Sequence, residues 1–125
     1  MSWTRRLWMT LAALSGFLAV AFGAFAAHGV ADPQAKEWLR TGSTYEFMHA
    51  LACFGCAVAA GAGARRAGLA AAFFLAGTAL FSGSLYAMAL GAPRMVAVVT
   101  PVGGLLFLAG WATLAWTIRE VDRPT

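Results

Sequence analysis

Four long apolar runs, separated by short charged segments, dominate the sequence. They lie between Arg6 and Asp32, across 41–64, between Arg66 and Arg94, and between Arg94 and Arg119. Each run reaches the roughly 20 residues that a helix needs to cross a bilayer. The apolar residues are continuous rather than alternating, which indicates helices and not the strands of a barrel. The pattern therefore predicts an all-α membrane protein, a bundle of four transmembrane helices in one domain, 1–125, with spans at about 7–30, 44–64, 67–92 and 95–118.

The segment between the first two spans reads ADPQAKEWLRTGSTYEF. Asp32 followed by Pro33 is a typical helix start, because the carboxylate can cap the first turn and proline suits the first helical position. Trp38 and Leu39 are residue types that enter the headgroup region of a bilayer. We therefore expect a short interfacial helix from about Pro33 to Leu39.

The first run also resembles a secretory signal, because TRRLW precedes the apolar stretch and AFAA lies near its end. Its length fits a complete bilayer crossing better than it fits a signal core. We expect this run to be retained as the first transmembrane helix.

Composition and charge agree with a membrane protein. Hydrophobic residues make up 61% of the chain and charged residues 11%, against about 25% charged residues in soluble domains. The net charge of +4 comes from short basic clusters between the apolar runs, which is typical of membrane topology rather than of nucleic-acid binding. We therefore expect membrane lipids, and not nucleic acid, as partners.

The basic residues also predict an orientation, because cytoplasmic loops carry an excess of Lys and Arg. One side of the predicted bundle holds six such residues: Arg5, Arg6, Arg65, Arg66, Arg119 and Arg123. The other side holds three: Lys36, Arg40 and Arg94. Both termini are therefore expected in the cytoplasm.

Small residues recur every four positions in the apolar runs, and such stripes allow helices to approach closely in lipid. The glycines that we assign to helix packing are Gly23, Gly83, Gly103 and Gly104. The stripes predict a tight bundle, and continuation of the same surfaces would give a homo-oligomer.

Polar residues from four chain segments fall in the predicted outer half of the bundle. They are His28, Glu46, His49, Ser84, Tyr86 and Thr100. Glu46 and His49 are three residues apart and share one helix face. Because buried polar groups need partners, we expect one hydrogen-bonded cluster just below the outer surface, with Glu46 at its mouth. The cluster either ties the helices together or binds a ligand from the outer side.

Several kinds of chemistry remain open for this cluster. His28 and His49 are candidates for haem or metal ligands, but Glu46 is the only acid within the spans, and no Cys-x-x-Cys-His motif for covalent haem is present. No Gly-x-Ser-x-Gly motif accompanies the serines. The chain is therefore interpreted as a non-enzymatic bundle that binds a lipid, a small ligand or a partner helix. An oligomeric permeation or transport element, or a metal or haem protein, is the alternative, and no cofactor is assigned.

Four motifs in order resemble one family of small membrane proteins. They are GAFAAHG, TYEFMHALA, AGTALFSGSLYAMAL and TPVGGLLFLAGW, and they cover the chain from about Leu11 to Trp116. The family is catalogued as domain of unknown function 423 and includes transmembrane protein 256-like proteins. The resemblance implies a protein of the bacterial inner membrane and carries no established activity.

Overall fold

The computed structural model describes residues 2–124, and all regular structure in that range is helical. The four long helices are α1 (Arg5–His28), α2 (Pro33–Gly61), α3 (Ala67–Ala89) and α4 (Val99–Thr117). Short 3-10 helices lie at Arg94–Val98 and Ile118–Glu120. The prediction of an all-α protein is confirmed. Met1 and Thr125, the ends of the predicted domain, lie outside the described residues.

Three of the helical segments are long and apolar enough to cross a membrane. They are Arg5–His28, Ala67–Ala89 and Arg94–Glu120, the last of which includes α4 and both 3-10 helices. They correspond to the first, third and fourth predicted spans. α2 falls short of the same criterion because Glu46 and His49 interrupt its apolar half.

α2 differs from the prediction in its length. The Asp32 side chain accepts a hydrogen bond from the Ala35 backbone N–H at 2.9 Å, as expected for a helix start at Pro33. The helix then continues without a break to Gly61, so the separate interfacial helix predicted for Pro33–Leu39 is wrong. No proline interrupts 34–61, so the backbone hydrogen bonds of the helix can continue through the predicted boundary. The Ser43 hydroxyl, within this helix, donates to the Ala19 carbonyl of α1 at 2.7 Å.

The helices are arranged with α2 and α3 at the centre. Successive helices pack side by side, and the closest helix pairs are α1 with α2, α2 with α3, and α3 with α4. The two flanking helices expose large apolar side chains, among them Phe17 and Val20 on α1 and Leu105 and Leu108 on α4. Apolar surface of this extent on two flanks is typical of a protein that faces lipid.

α3 and α4 approach each other closely at glycines. A Cβ added at Gly103 would lie 2.8 Å from Cα of Phe81, which leaves no room for a side chain between the two backbones. One added at Gly77 would lie 2.6 Å from the ring of Phe107. These contacts show why small residues are needed along this pair of helices.

The four glycines assigned to packing have different surroundings. A Cβ at Gly23 would lie 2.8 Å from the Ser43 hydroxyl oxygen, so Gly23 faces α2 closely. Gly104 is at the edge of the α3–α4 contact, 4.0 Å from the Phe81 ring by the same measure. Apart from the nearby backbone of α3 itself, no atom of residues 2–124 lies within 4 Å of the Cβ position of Gly83, so the structure contradicts its assignment to a helix interface in the bundle. The four-residue spacing identified the stripe, but it did not distinguish Gly83, where a Cβ would meet open space, from the glycines that contact another helix.

Candidate functional site

A buried carboxylate joins three helices. Glu46 of α2 is only 4% exposed. One carboxylate oxygen, Oε2, accepts a hydrogen bond from the Ser15 hydroxyl of α1 at 2.8 Å. The other, Oε1, accepts one from the Tyr86 hydroxyl of α3 at 2.7 Å. We call Ser15, Glu46 and Tyr86 the Glu46 triad.

The Glu46 triad lies deeper than the sequence predicted. Ser15 follows Arg5, the first residue of α1, by about 15 Å of helix rise, in a helix of 24 residues. Glu46 follows Pro33, the first residue of α2, by about 20 Å. The predicted position near the outer surface assumed that α2 begins at about residue 44. Since α2 begins at Pro33, the carboxylate lies near the middle of both helices.

The Tyr86 ring is held in place from two sides. Phe22 of α1 stacks on it with ring centroids 3.9 Å apart. On the α2 side, a Cβ at Gly42 would lie 2.6 Å from the Tyr86 ring, so only glycine leaves the space that the ring occupies. Ser82, one helical turn before Tyr86, donates to the Gly42 carbonyl at 2.7 Å. The hydroxyl of Tyr86 is thereby directed at Glu46.

An apolar groove between α1 and α3 reaches the Glu46 triad. Its volume is about 340 Å³. Its apolar walls are formed by Leu11, Leu14, Leu18, Leu75 and Ala79. Three polar residues also line it: Ser15, Glu46 and Thr78. Leu14 is 58% exposed, so the groove lies on a flank that faces outward from the protein. It therefore combines a lipid-like wall with a hydrogen-bonding base.

His49 forms a second polar contact, separate from the Glu46 triad. Its Nδ1 lies 2.7 Å from the Tyr45 carbonyl, and its Nε2 accepts a hydrogen bond from the Trp111 indole N–H at 3.1 Å. The ring also stacks on Phe107 with centroids 3.6 Å apart. A carbonyl partner at Nδ1 and a donor at Nε2 specify the neutral tautomer with its proton on Nδ1. His49 thus ties α2 to α4 through a fixed tautomer.

The predicted single cluster is divided in the structure. Glu46 and Tyr86 are brought together. Ser84 of α3 and Thr100 of α4 form a separate pair, with their hydroxyl oxygens 2.5 Å apart. Because the Ser84 hydroxyl donates to the Phe81 carbonyl, Thr100 is the donor in that pair.

His28 is exposed at the end of α1, outside these contacts, so its place in the predicted cluster is wrong. The reason is depth, since about 20 Å of helix rise separates His28 from Ser15.

The arrangement of the histidines bears on the metal and haem alternatives. Both ring nitrogens of His49 are engaged, which leaves neither for a metal in this conformation. His28 lies elsewhere on the surface. Within residues 2–124, no three His, Cys, Asp or Glu side chains come together. The structure therefore offers no histidine pair of the kind that those alternatives require.

Sequence reasoning missed the hydrogen-bond partners of two candidate residues: Ser15, which donates to Glu46, and Trp111, which donates to His49. Ser15 is one of the small residues that recur every four positions in the first apolar run, and no partner was predicted for it, although a lone hydroxyl in an apolar run is a hydrogen-bond donor in need of a partner. Trp111 forms part of one of the four motifs, and no contact with His49 was predicted for it. An indole N–H that is shielded from water needs an acceptor, and that requirement was the available signal.

The chain matches the family model described as "Protein of unknown function (DUF423)" over residues 22–104. A UPF0382 membrane protein of Haemophilus influenzae is 45% identical over 112 residues, which cover 87% of this chain and 90% of the relative.

Further relatives come from other bacteria. The UPF0382 inner membrane protein YgdD of Escherichia coli K12 is 45% identical over 118 residues, 89% of this chain and 88% of the relative. A UPF0382 membrane protein of Staphylococcus aureus is 35% identical over 113 residues, 87% of this chain and 92% of the relative. No solved structure matches the chain. The family resemblance seen in the four motifs is confirmed, and the chain belongs to the DUF423 family of membrane proteins of unknown function.

Proposed function

We propose that the protein is a four-span protein of the bacterial inner membrane that binds, in the groove between α1 and α3, an apolar molecule carrying a hydroxyl or amine. The observation that supports this proposal is the Glu46 carboxylate at the base of an otherwise apolar groove. Ionisable side chains inside a membrane are costly and usually serve a function. No reaction is proposed for the site.

In this proposal α2 crosses the membrane together with the three apolar segments. Its 29 residues extend about 43 Å, longer than the roughly 30 Å hydrocarbon core. The two polar side chains in its apolar half, Glu46 and His49, have hydrogen-bond partners within the protein. Glu46 is bonded to Ser15 and Tyr86, and His49 to Trp111. Internal partners of this kind make a less apolar helix compatible with the membrane interior.

The orientation that we propose places both termini in the cytoplasm. The chain start, the α2–α3 turn and the chain end gather at one end of the molecule, as shown by the hydrogen bond from Trp3 Nε1 to the Gly68 carbonyl and the salt bridge between Arg65 and Glu120. This end carries six of the nine basic residues. The excess of positive charge supports a cytoplasmic location for it.

The chemistry of the groove points to a ligand with a hydrogen-bond donor. A carboxylate offers about four lone-pair positions, and the Glu46 triad uses one on each oxygen. The remaining positions suit a hydroxyl or an amine. The four leucines of the walls suit an alkyl chain or an apolar ring.

The extent of the groove favours binding over permeation. Along α1, its lining runs from Leu11 to Leu18, about 10 Å of helix rise, and so covers less than half of the helix. A pore would have to continue to both ends of the helices. A molecule dissolved in the lipid can instead enter from the side.

Photolabelling tests the proposal. Protein in lipid nanodiscs is exposed to a long-chain alcohol that carries a diazirine, and separately to the matching alkane without the hydroxyl. We expect the alcohol to label peptides of the α1–α3 groove in preference to the rest of the lipid-facing surface, and the alkane to label both alike. Glu46→Leu should abolish the preference of the alcohol, since its acceptor is gone.

A matched pair of variants controls for accessibility. Leu14→Trp fills the groove and should reduce labelling there, whereas Leu105→Trp makes the same change at an exposed position of α4 and should not. Far-UV circular dichroism of each variant establishes that it is folded. Equal labelling by alcohol and alkane, or labelling that survives Glu46→Leu unchanged, would overturn the proposed binding site.

A further inference from the structure

At the arginine-rich end of the molecule, hydrogen bonds and a salt bridge connect the α2–α3 turn to the segment that follows α4. The Asp122 backbone N–H donates to the Ala62 carbonyl at 2.9 Å. The Arg65 backbone N–H donates to Glu120 Oε1 at 3.1 Å, and its guanidinium Nε contacts Glu120 Oε2 at 2.7 Å. These contacts fix the two segments relative to each other, so any cavity between them has a defined shape.

Such a cavity is present, with a volume of about 380 Å³, and it is lined by Gly63, Arg65, Glu120, Arg123 and Pro124. Gly63 has φ of +112°, which glycine adopts without penalty. A Cβ there would lie 3.1 Å from the Glu120 carbonyl oxygen, so the turn and the tail approach each other closely at this point. The close approach of the turn and the tail brings two arginines, Arg65 and Arg123, to one cavity.

Of the three charged residues that line the cavity, Arg65 and Glu120 are paired with each other and Arg123 is not part of that pair. Glu120 accepts from the backbone and guanidinium of Arg65 and from the Thr117 hydroxyl. Within residues 2–124, the salt bridge between Arg65 and Glu120 is the one ion pair. Arg123 thus lines the cavity without a carboxylate partner in the described range. A cavity with two arginines and one engaged acid favours an anion.

Neighbouring residues indicate that this end lies at a lipid surface. The half-exposed Trp116 ring has the guanidinium groups of Arg66 and Arg119 above it, each 5.0 Å from the ring centroid. Tryptophan and arginine together are typical of the membrane–water interface. The cavity is therefore placed where lipid headgroups are the most abundant anions.

We propose that this cavity binds a phosphate group, held by Arg123 and the outer edge of Arg65, and that its source is the headgroup of an anionic lipid. The planar guanidinium fork matches the geometry of phosphate oxygens, which makes arginine the preferred residue for phosphate recognition. Basic pockets beside membrane helices bind phospholipid headgroups in this manner. The site is separate from the groove of the proposed function, and its test does not depend on that groove.

Native mass spectrometry of the detergent-purified full chain tests the site, with phosphatidylglycerol and phosphatidylcholine as the lipid probes. A diffuse surface effect lowers anionic-lipid binding about fivefold for each arginine removed, wherever that arginine lies on this end. A defined site predicts a larger loss for Arg123→Gln, tenfold or more. Arg6→Gln removes an exposed arginine of the same end outside the cavity, and should show only the small loss.

Inorganic phosphate and glycerol phosphate, added as competitors, separate the two sources of phosphate. Retention of phosphatidylglycerol in their presence supports a lipid headgroup, and its displacement supports a phosphate site open to soluble ligands. Equal losses for Arg123→Gln and Arg6→Gln, or no preference for phosphatidylglycerol over phosphatidylcholine in the wild type, would overturn the proposal. Circular dichroism of both variants excludes unfolding as the cause of a loss.

Discussion

Replacement of Gly103 by alanine is the most direct test of the contact between α3 and α4. The added Cβ would lie 2.8 Å from both Cα and Cβ of Phe81. Ordinary contacts between carbon atoms are about 3.5–4.0 Å, and the Phe81 backbone nitrogen is closer still to the added Cβ, so the two backbones must separate by at least about 0.7 Å. A backbone atom cannot rotate away as the end of a flexible side chain can. The displacement therefore spreads along the interface.

The magnitude follows from two opposing effects. A gap of about 0.5–1 Å already removes a quarter to a half of the dispersion attraction between facing atoms, and overpacking costs about 1–3 kcal/mol. In the other direction, alanine stabilises a helix by up to about 1 kcal/mol relative to glycine. With the full propensity gain, we therefore expect Gly103→Ala to lower the free energy of unfolding by up to about 2 kcal/mol, and by about 1–3 kcal/mol relative to a Gly→Ala change without the close contact.

The assay is unfolding in mixed detergent micelles by titration with sodium dodecyl sulfate, followed by far-UV circular dichroism. Gly83→Ala is the matched control, because its Cβ would meet open space among the described residues beyond the backbone of its own helix. This variant should be as stable as the wild type or more stable by up to about 1 kcal/mol. Equal unfolding midpoints for the two variants, or a more stable Gly103→Ala, would refute the close approach of α3 and α4.

Three further predictions concern the polar contacts and the orientation. Tyr86→Phe removes a donor to Glu46 and should lower the free energy of unfolding by about 0.6–1.7 kcal/mol in the same titration; an unchanged midpoint would contradict the hydrogen bond. His49→Leu should have an effect of similar size because the Trp111 N–H loses its acceptor, whereas His49→Gln keeps a donor and an acceptor and should recover most of the stability. If both variants match the wild type, His49 does not tie the helices. An alkaline phosphatase reporter fused after Thr125, active only in the periplasm, should remain inactive, and activity would reverse the proposed orientation.

The sequence was sufficient for the helices and insufficient for their partners. Continuous apolar runs predicted helices, and Asp32 before Pro33 predicted a helix start, but that start was assigned to a separate short helix, whereas it is the beginning of α2. The sequence could not predict that α2 continues through Ser43. A serine can cap the start of a helix, and it can equally lie within a helix and donate its hydroxyl to a neighbouring helix. Only the position of the Ala19 carbonyl decides between these roles.

The candidate site was predicted in part for the same physical reason. Glu46 and Tyr86 were placed in one cluster, and they do meet. The depth of Glu46 and Tyr86, and the contact with Ser15, depend on how α1 and α2 are aligned along their axes. The spacing of residues within one helix carries no information about that alignment. Small-residue spacing likewise marks Gly83 and Gly103 alike, although only the fold decides which glycine faces a neighbour. The homo-oligomer stays a prediction.

The hydrogen bond between Ser15 and Glu46 has a consequence for how the chain enters the bilayer during synthesis. An ionisable residue at the centre of a lone helix raises the cost of insertion by about 2.5–3.5 kcal/mol. α2 carries such a residue, and the nearest partner in the chain belongs to the helix made just before it. In the proposed four-span arrangement, α1 would remain beside the insertion machinery until α2 emerges, and the two helices would then enter lipid as a pair. Biogenesis of this protein would accordingly proceed hairpin by hairpin, with the first hairpin committed before α3 supplies Tyr86.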